Sequence, residues 1–208
     1  MSQTHKDKIV VIGAGNVGEA IAYTLMVRVQ ANDIVLIDVN EDRAKGASLD
    51  DLAKINVGIV KNITENIMKY AENPLILVVS NPADIMTAAV VETSGLPRHR
   101  VIGSGTSLDT ARLRYFLSKK LQVNIEDINA YVLGEHGDSQ VPIFSSANVG
   151  GFPLDEYARQ IGVELDKEEL TRKTIQGGAD IIRMKGATFY GIAMAVSNIV
   201  ETIMKDDD

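Results

Sequence analysis

Cysteine and tryptophan are both absent from this 208-residue chain, and aromatic residues make up only 5% of it. A chain without cysteine has no disulfides, no thiolate metal sites and no cysteine nucleophile. With so few aromatic side chains, a platform for stacking nucleic-acid bases is not expected. No apolar run reaches the roughly 18 residues that a membrane span needs, and the polar N-terminus lacks the apolar stretch of a signal peptide. We therefore expect a cytoplasmic protein that binds no membrane.

Basic residues are also fewer than acidic ones. The chain has 21 lysines and arginines against 28 aspartates and glutamates, which gives a net charge of −7 and a pI of about 5.0. Nucleic acids and anionic membranes bind basic surfaces, so neither is an expected partner. Hydrophobic residues make up 45% and charged residues 24%, which is typical of a globular protein with a buried core. Only three histidines are present, and we expect no metal site.

The N-terminal segment begins with a β-branched run at residues 8–12, which ends in the sequence Gly13-Ala14-Gly15-Asn16-Val17-Gly18. Apolar residues then recur at helical spacing and predict a helix with one buried face. That face consists of Val17, Ile21, Ala22, Leu25 and Met26. A second apolar run at residues 34–37 predicts a strand buried on both faces. Strand, helix and strand within about thirty residues indicate the βαβ unit of a parallel sheet.

The glycine spacing G-x-G-x-x-G lies between that strand and helix, which is the context a dinucleotide site requires. Gly13 permits a tight turn, Gly15 lets the backbone approach a pyrophosphate, and Gly18 allows close packing of the helix. The N-terminus of the helix offers N–H donors to phosphates. Asp38, twenty residues after Gly18, would bind ribose hydroxyls and select NAD over NADP. The simpler alternative is an ordinary strand–helix turn with a solvated Asp38.

Later segments continue the alternation of strands and helices. Residues 41–71 have a helical pattern interrupted at Gly46 and Gly58. Strands predicted at residues 75–79, 101–102 and 130–133 alternate with helices at 85–93 and 108–121. After about Pro142 a turn cluster and three helices follow. We therefore predict an α/β protein, with an incomplete Rossmann-type doubly wound sheet in an NAD-binding domain at residues 1–141 and a partial α+β substrate domain at residues 142–208.

His136 is the histidine best placed for chemistry, because its Gly-flanked loop follows a buried strand and open parallel sheets bind ligands at strand ends. His5 lies in the polar tail, and His99 lies between two arginines. Asp109 and Arg112 are three residues apart and share one helix face. They are either an exposed ion pair of little energetic weight, or a functional pair. In the second case Asp109 orients His136 and Arg112 binds a substrate carboxylate through two parallel hydrogen bonds.

Together with Asp38, several of these segments resemble the L-lactate dehydrogenase family, in the same order along essentially the whole chain. The motifs are Gly13 to Gly18, Ser80-Asn81-Pro82-Ala83-Asp84, residues 103–112, Gly134-Glu135-His136-Gly137-Asp138-Ser139 and Lys185-Gly186-Ala187-Thr188. The resemblance implies NAD-dependent interconversion of lactate and pyruvate by a homo-oligomer, tetramer or dimer, in glycolysis or fermentation. Malate dehydrogenases are close relatives, although the histidine motif looks more like the lactate branch.

The resemblance also assigns roles to single residues. It makes His136 the proton acceptor and donor, Asp109 its carboxylate partner and Arg112 the substrate clamp. It places Asn81 near the reacting carbonyl and the nicotinamide, and Thr188 in the substrate pocket. The implied cofactor-binding residues are Gly13, Gly15, Val17, Gly18, Asp38, Arg43, Ser80, Asn81 and Ser104.

One segment of the family pattern has no counterpart in this chain. Motif spacing indicates that roughly forty residues are absent between Asp50 and Asp51. In the family this segment holds two strands, one of them beside the first strand, and a loop arginine that polarises the substrate carbonyl. Family members also continue beyond Asp208. Losing one buried strand removes about 10 kcal/mol, which is comparable with a typical total stability of about 5–15 kcal/mol. Losing the arginine predicts a turnover lower by about 10²–10³.

Two other departures leave alternatives open. Many bacterial members bind fructose 1,6-bisphosphate with an arginine and a histidine. Arg114 matches the arginine, but Asn129 stands at the histidine position, which predicts weak or absent activation. The alternatives to lactate dehydrogenase are malate dehydrogenase and a non-catalytic NAD-binding truncated variant.

Overall fold

The computed structural model describes residues 8–29, 31, 33–37, 49–185 and 189–205, and for residues 49–55 and 178–185 it describes the backbone. The chain divides into two compact units. One comprises Met1–Arg43 with Gly178–Asp208, and the other comprises Ala44–Gly177. The domain boundary near Val141 stays a prediction.

In the first unit, strand β1 (Lys8–Ile12), helix α1 (Asn16–Arg28) and strand β2 (Asp33–Ile37) form the βαβ unit. The strands pair in parallel from Lys8 opposite Asp33 to Ile12 opposite Ile37. Helix α1 packs against helix α7 (Tyr190–Lys205), and Arg28 on α1 forms an ion pair of 2.9 Å with Glu201 on α7.

Two details of this unit differ from the sequence-based expectations. Ile21, Ala22 and Leu25 are buried on α1, whereas Met26 is 64% exposed. Strand β2 is not buried on both faces, since Leu36 and Ile37 are 43% and 45% exposed. The reason is the width of the sheet: β1 and β2 form a sheet of only two described strands. A strand becomes buried on both faces only where helices cover both faces of a wider sheet.

The second unit begins with helix α2 (Leu49–Tyr70), strand β3 (Ile76–Val78), helix α3 (Ala83–Ser94) and strand β4 (Val101–Gly103). Helix α2 runs without a break through Gly58 and across the Asp50–Asp51 junction, so the interruption predicted at Gly58 was wrong. A single glycine costs a helix only about 1 kcal/mol, which 22 residues of helix tolerate. The small core beneath these elements consists of Val78, Met86, Val90 and Val101.

Strands β3 and β4 pair in parallel, as a two-stranded sheet separate from that of β1 and β2. The four described parallel strands therefore form two pairs.

The remaining elements of this unit surround its main core. They are helix α4 (Ser107–Leu121), strands β5 (Ile128–Leu133), β6 (Val141–Val149) and β7 (Phe152–Pro153), helix α5 (Leu154–Gln160) and helix α6 (Lys167–Lys185), which belongs to this unit up to Gly177. Strands β5, β6 and β7 form an antiparallel sheet. Leu113 and Leu117 on α4 are fully buried against alternate residues of β5.

Strand β6 was not predicted from the sequence. It has an irregular burial pattern, with two exposed serines at its centre and Pro142 as its second residue. Proline usually marks the edge or the end of a strand, so the pattern at residues 141–149 does not indicate one. Of the helices described, none is both long enough and apolar enough to cross a membrane.

Candidate active site

The glycine-rich loop lies in the first unit, between β1 and α1. Gly13 has a φ of 105°, a conformation that favours glycine, and its N–H donates to the Ile37 carbonyl at 2.7 Å. A Cβ on Gly18 would lie 1.7 Å from the carbonyl oxygen of Gly13, so no larger residue fits there without moving the loop. The loop therefore depends on glycine at both positions.

The other residues predicted to bind the cofactor divide into two groups. Asp38 and Arg43 lie outside the described residues, as does Thr188 of the predicted substrate pocket. Ser80 and Asn81 follow β3, and Ser104 follows β4. The two strands are parallel, and Ser104 N–H donates to the Val78 carbonyl at 2.8 Å, so these residues lie at one edge of a sheet. The Asn81 carbonyl accepts a hydrogen bond of 2.9 Å from Asn56 of α2.

His136 lies in the loop between β5 and β6. Gly134, which begins this loop, has a φ of 93°. The His136 side chain is 28% exposed, so the imidazole is partly accessible. Its Nδ1 lies 2.6 Å from Oδ2 of Asp109, on the first turn of α4. Because Asp109 accepts a hydrogen bond from Nδ1, Nε2 is the nitrogen left to exchange a proton with a ligand.

Asp109 bridges His136 and Arg112. Its other carboxylate oxygen, Oδ1, accepts a hydrogen bond from Arg112 Nη1 at 2.9 Å. The Asp109 residue is 0% exposed, so this pair is not the exposed ion pair that the sequence left open. The structure thus brings together the three residues predicted to be catalytic, as one chain of charge-assisted hydrogen bonds.

Arg112 is held largely within the protein, with 14% of its side chain exposed. Gly177 on α6 lies beside it, because a Cβ at Gly177 would lie 3.4 Å from Arg112 Cδ. In the part of the chain that the structure describes, Asp109 is the one carboxylate that pairs with Arg112. The remaining guanidinium N–H groups can therefore bind a second carboxylate.

The pKa of His136 is raised above its ordinary value. The main cause is the hydrogen bond to Asp109, which favours the protonated ring. Burial and the positive charge of Arg112 lower the pKa in part, while the negative charges of Asp109 and Asp84 raise it. A histidine that holds a proton more firmly near neutral pH suits a group that both accepts and donates one.

Asp84 is a contact that sequence reasoning missed. Its Oδ2 accepts a hydrogen bond of 3.0 Å from the backbone N–H of His136. The residue belongs to the Ser80–Asp84 motif, but nothing in that motif shows which loop its carboxylate reaches. The two residues are 52 positions apart, and helix or strand periodicity relates only residues a few positions apart.

Two family models together match nearly the whole chain. The lactate/malate dehydrogenase NAD-binding domain matches residues 7–50 and 42–103, and the lactate/malate dehydrogenase alpha/beta C-terminal domain matches residues 106–208. The chain belongs to the lactate/malate dehydrogenase family. Its N-terminal part is accordingly an NAD-binding domain of the Rossmann type, followed by an α/β domain. Members are NAD-dependent oxidoreductases.

Relatives of both branches of the lactate/malate dehydrogenase family resemble the chain. The L-lactate dehydrogenase of Kosmotoga olearia is 38% identical over 96% of this chain and 76% of its own length. A solved lactate dehydrogenase from a Medee basin deep-sea metagenome library is 31% identical, with a TM-score of 0.91 over 97% of this chain and 79% of its own. The malate dehydrogenase of Picrophilus torridus is 32% identical, with a TM-score of 0.84 over 96% and 76%.

These matches also bear on the absent segment. The alignment with the Kosmotoga enzyme extends over 247 positions, which is more than the 208 residues of this chain, so it must open gaps here. The NAD-binding domain likewise matches as two segments, residues 7–50 and 42–103, which overlap at residues 42–50. The first segment ends at Asp50, where the motif spacing predicts absent residues.

The two residues predicted to matter for bisphosphate activation have partners within this lactate/malate dehydrogenase chain. Arg114 Nε donates to the Ala130 carbonyl at 3.0 Å, and its guanidinium lies over the Tyr131 ring. Asn129 donates to Asn148 at 3.2 Å. Among the described residues, no cluster of three or more histidine, aspartate or glutamate side chains could hold a metal ion.

Proposed function

We propose that this protein is an L-lactate dehydrogenase that transfers hydride between NAD and the L-lactate/pyruvate pair. One observation carries the proposal: a buried carboxylate, Asp109, binds both His136 and Arg112. A group that exchanges protons and a group that binds carboxylates therefore lie next to each other. The oxidation of a 2-hydroxy acid needs both groups, one to accept the hydroxyl proton and the other to bind the carboxylate.

His136 supplies the proton chemistry. When lactate is oxidised, its hydroxyl loses a proton as the hydride leaves, and Nε2 of His136 accepts that proton. In the reverse direction the protonated ring returns it to the carbonyl oxygen of pyruvate. Asp109 stabilises the imidazolium that forms, through its hydrogen bond to Nδ1.

Arg112 makes the site specific for substrates that carry a carboxylate. The planar guanidinium can bind the substrate carboxylate through two parallel hydrogen bonds while Nη1 stays on Asp109. This contact would orient the neighbouring carbon and its hydroxyl toward His136. We assign Asn81 and Thr188 to the same substrate pocket on the family resemblance.

NAD supplies the hydride acceptor of the reaction. The residues present fit a dinucleotide, because Gly13 takes a positive φ and Gly18 has no room for a side chain, so the backbone of this loop is open to a pyrophosphate. Gly15 and Val17 complete the loop, and Asp38 and Arg43 would contact the adenosine portion. Ser80, Asn81 and Ser104 would contact the nicotinamide side.

The proposal includes a low turnover number. The family's loop arginine belongs to the segment for which this chain has no counterpart, and an electrostatic stabiliser of that kind contributes about 10²–10³ to turnover. We therefore expect measurable but slow pyruvate reduction.

Oxidation of NADH by the purified 208-residue chain tests the proposal, with pyruvate and oxaloacetate as competing substrates. Preferred turnover of pyruvate supports an L-lactate dehydrogenase, whereas preferred turnover of oxaloacetate supports a malate dehydrogenase. NADH binding, followed by its fluorescence, without turnover of either acid would instead indicate a non-catalytic NAD-binding protein.

We further propose a cytoplasmic homo-oligomer, tetramer or dimer, that serves glycolysis or fermentation. The support is the family resemblance. Light scattering coupled to size-exclusion chromatography measures the oligomeric state directly, and a monomer at micromolar concentration would contradict it.

A further inference from the structure

The loop that carries His136 joins strands β5 and β6, and the end of β5 is bound to α4 by hydrogen bonds between Val132 and the hydroxyl groups of Thr106 and Thr110. Inside the loop, Ser139 Oγ donates to Glu135 at 3.0 Å, and Gln140 N–H donates to the Gly137 carbonyl at 3.3 Å. These two bonds lie within the loop and do not reach helix α3 or α4. The position of the loop relative to those helices decides where the imidazole points.

Two carboxylates from different helices bind His136 at its two ends. Asp109 of α4 accepts a hydrogen bond from the ring, and Asp84 of α3 accepts one from the backbone N–H at 3.0 Å. A ring bound through one nitrogen can still pivot with its loop, whereas a second bond at the backbone removes that freedom. We propose that Asp84 is a positioning residue that holds the His136 loop for proton exchange, an inference that rests on the proposed lactate dehydrogenase function.

The position of Asp84 in the chain adds to this inference. It lies three residues after Asn81, whose carbonyl is itself held by Asn56 at 2.9 Å. Asp84 therefore connects the segment assigned to the substrate carbonyl with the loop of the proton-exchanging histidine. Losing this contact should affect the chemical step more than the binding of NADH.

The charged groups facing His136 come from both helices. Asp109 and Arg112 lie on α4, and Asp84 lies on α3. Glu135 and Asp138 belong to the loop itself. The simpler alternative for Asp84 is an ordinary acidic residue in the first turn of α3, where it interacts with the helix dipole. That role requires no hydrogen bond to His136, although the charge of Asp84 on α3 would still raise the pKa of His136.

Histidine NMR of the full chain without substrate measures whether Asp84 acts on His136, and kcat of the same variants shows whether it also positions the loop. A lowered midpoint with an unchanged kcat would indicate an effect of charge alone and would overturn the positioning role. Only three histidines are present, so a His136→Asn spectrum assigns the His136 signal by its loss. Asp84→Asn keeps the size of the side chain and removes its charge, and Asp138→Asn is the matched control in the same loop. We expect Asp84→Asn to lower the titration midpoint of His136 by about half a pH unit, and Asp138→Asn to leave it unchanged.

Steady-state kinetics on the same variants provides the second readout. We expect kcat for pyruvate reduction to fall roughly fivefold in Asp84→Asn, with KM for NADH unchanged. Asp84→Glu restores the charge and should return the midpoint toward that of the unaltered chain.

Equal His136 midpoints in Asp84→Asn and Asp138→Asn would overturn the inference, even if Asp84→Asn is less stable. The titration needs no turnover, so its result is independent of the proposed function. A lowered midpoint in a chain that reduces no pyruvate would remove the function and leave the effect of Asp84 on His136 standing.

Discussion

Replacing Asp109 by asparagine tests the centre of the candidate site. Asp109 accepts two hydrogen bonds, one from Arg112 on Oδ1 and one from His136 on Oδ2. Asparagine has the same shape but only one acceptor oxygen, because its other terminal atom is an NH₂ donor. Either the NH₂ group faces the Arg112 guanidinium, donor against donor, or it faces Nδ1 of His136.

Both orientations harm the site. If the NH₂ group faces His136, Nδ1 must accept the hydrogen bond, and the ring proton moves to Nε2, which then cannot take a proton from the substrate. If it faces Arg112, the guanidinium loses its partner in a nearly enclosed position. Each lost charge-assisted bond is worth about 1.5–3 kcal/mol, which corresponds to a turnover lower by roughly ten- to a hundredfold.

The pKa of His136 should fall in the same variant. The hydrogen bond to Asp109 is the largest contribution that raises it, so its loss leaves the opposing effects of burial and Arg112. The pKa of His136 therefore shifts downward. Pyruvate reduction needs the protonated ring, so its rate falls as the pH rises through the pKa of His136. In the variant this fall should begin at a lower pH than in the unaltered protein.

The assay is the pH profile of kcat/KM for pyruvate, with NADH binding measured alongside. Glu135→Gln is the matched control, since Glu135 neighbours His136 in the chain but binds Ser139. Circular dichroism checks that each variant is folded. A folded Asp109→Asn variant with an unchanged profile midpoint would refute the assignment of Asp109 as the partner that sets the pKa of His136.

Four further predictions follow from the same contacts. His136→Asn should abolish turnover and keep NADH binding, because the proton acceptor is lost while the glycine loop is intact; retained turnover would falsify the general-base assignment. Arg112→Lys should raise KM for pyruvate far more than it lowers kcat, since a point charge cannot form two parallel bonds; equal effects on both would contradict the clamp. Gly18→Ala should weaken NADH binding, measured by fluorescence titration, because its Cβ would lie 1.7 Å from the Gly13 carbonyl oxygen. Gly58→Ala, with open space at that position, is its control, and equal affinities would argue against the steric reasoning. Finally, protonated His136 should stabilise the fold below a pH of about 6.5, and this contribution should disappear as the pH rises through its raised pKa. Urea unfolding across that range measures it, and His136→Asn should lack the dependence.

Local patterns in the sequence were sufficient for the elements near the cofactor loop. The run at residues 8–12, the glycine spacing and the helical apolar face predict β1, the loop and α1, and the structure has all three. Such predictions succeed because periodicity and glycine geometry act over a few residues. They fail where a neighbouring layer decides the outcome, as for the exposed Leu36 and the unpredicted strand β6.

The candidate site shows the same division. The scarcity of histidine and the position of His136 after a buried strand mark it as a candidate, and the three-residue spacing pairs Asp109 with Arg112. Sequence could not decide whether that pair is solvated or buried, because burial depends on α4 packing against β5 and on the loop that follows.

By itself, then, the sequence determined the residue types, their local elements and the glycine loop of this family member. The tertiary structure alone decided that Asp109 is withdrawn from water and shared between His136 and Arg112, and that Asp84 reaches the His136 backbone. The contacts of His136 with Asp109 and Asp84 span 27 and 52 residues of the chain. They form only when the tertiary fold brings α3, α4 and the His136 loop together. Desolvation and shared hydrogen bonds then convert ordinary side chains into a group with an altered proton affinity.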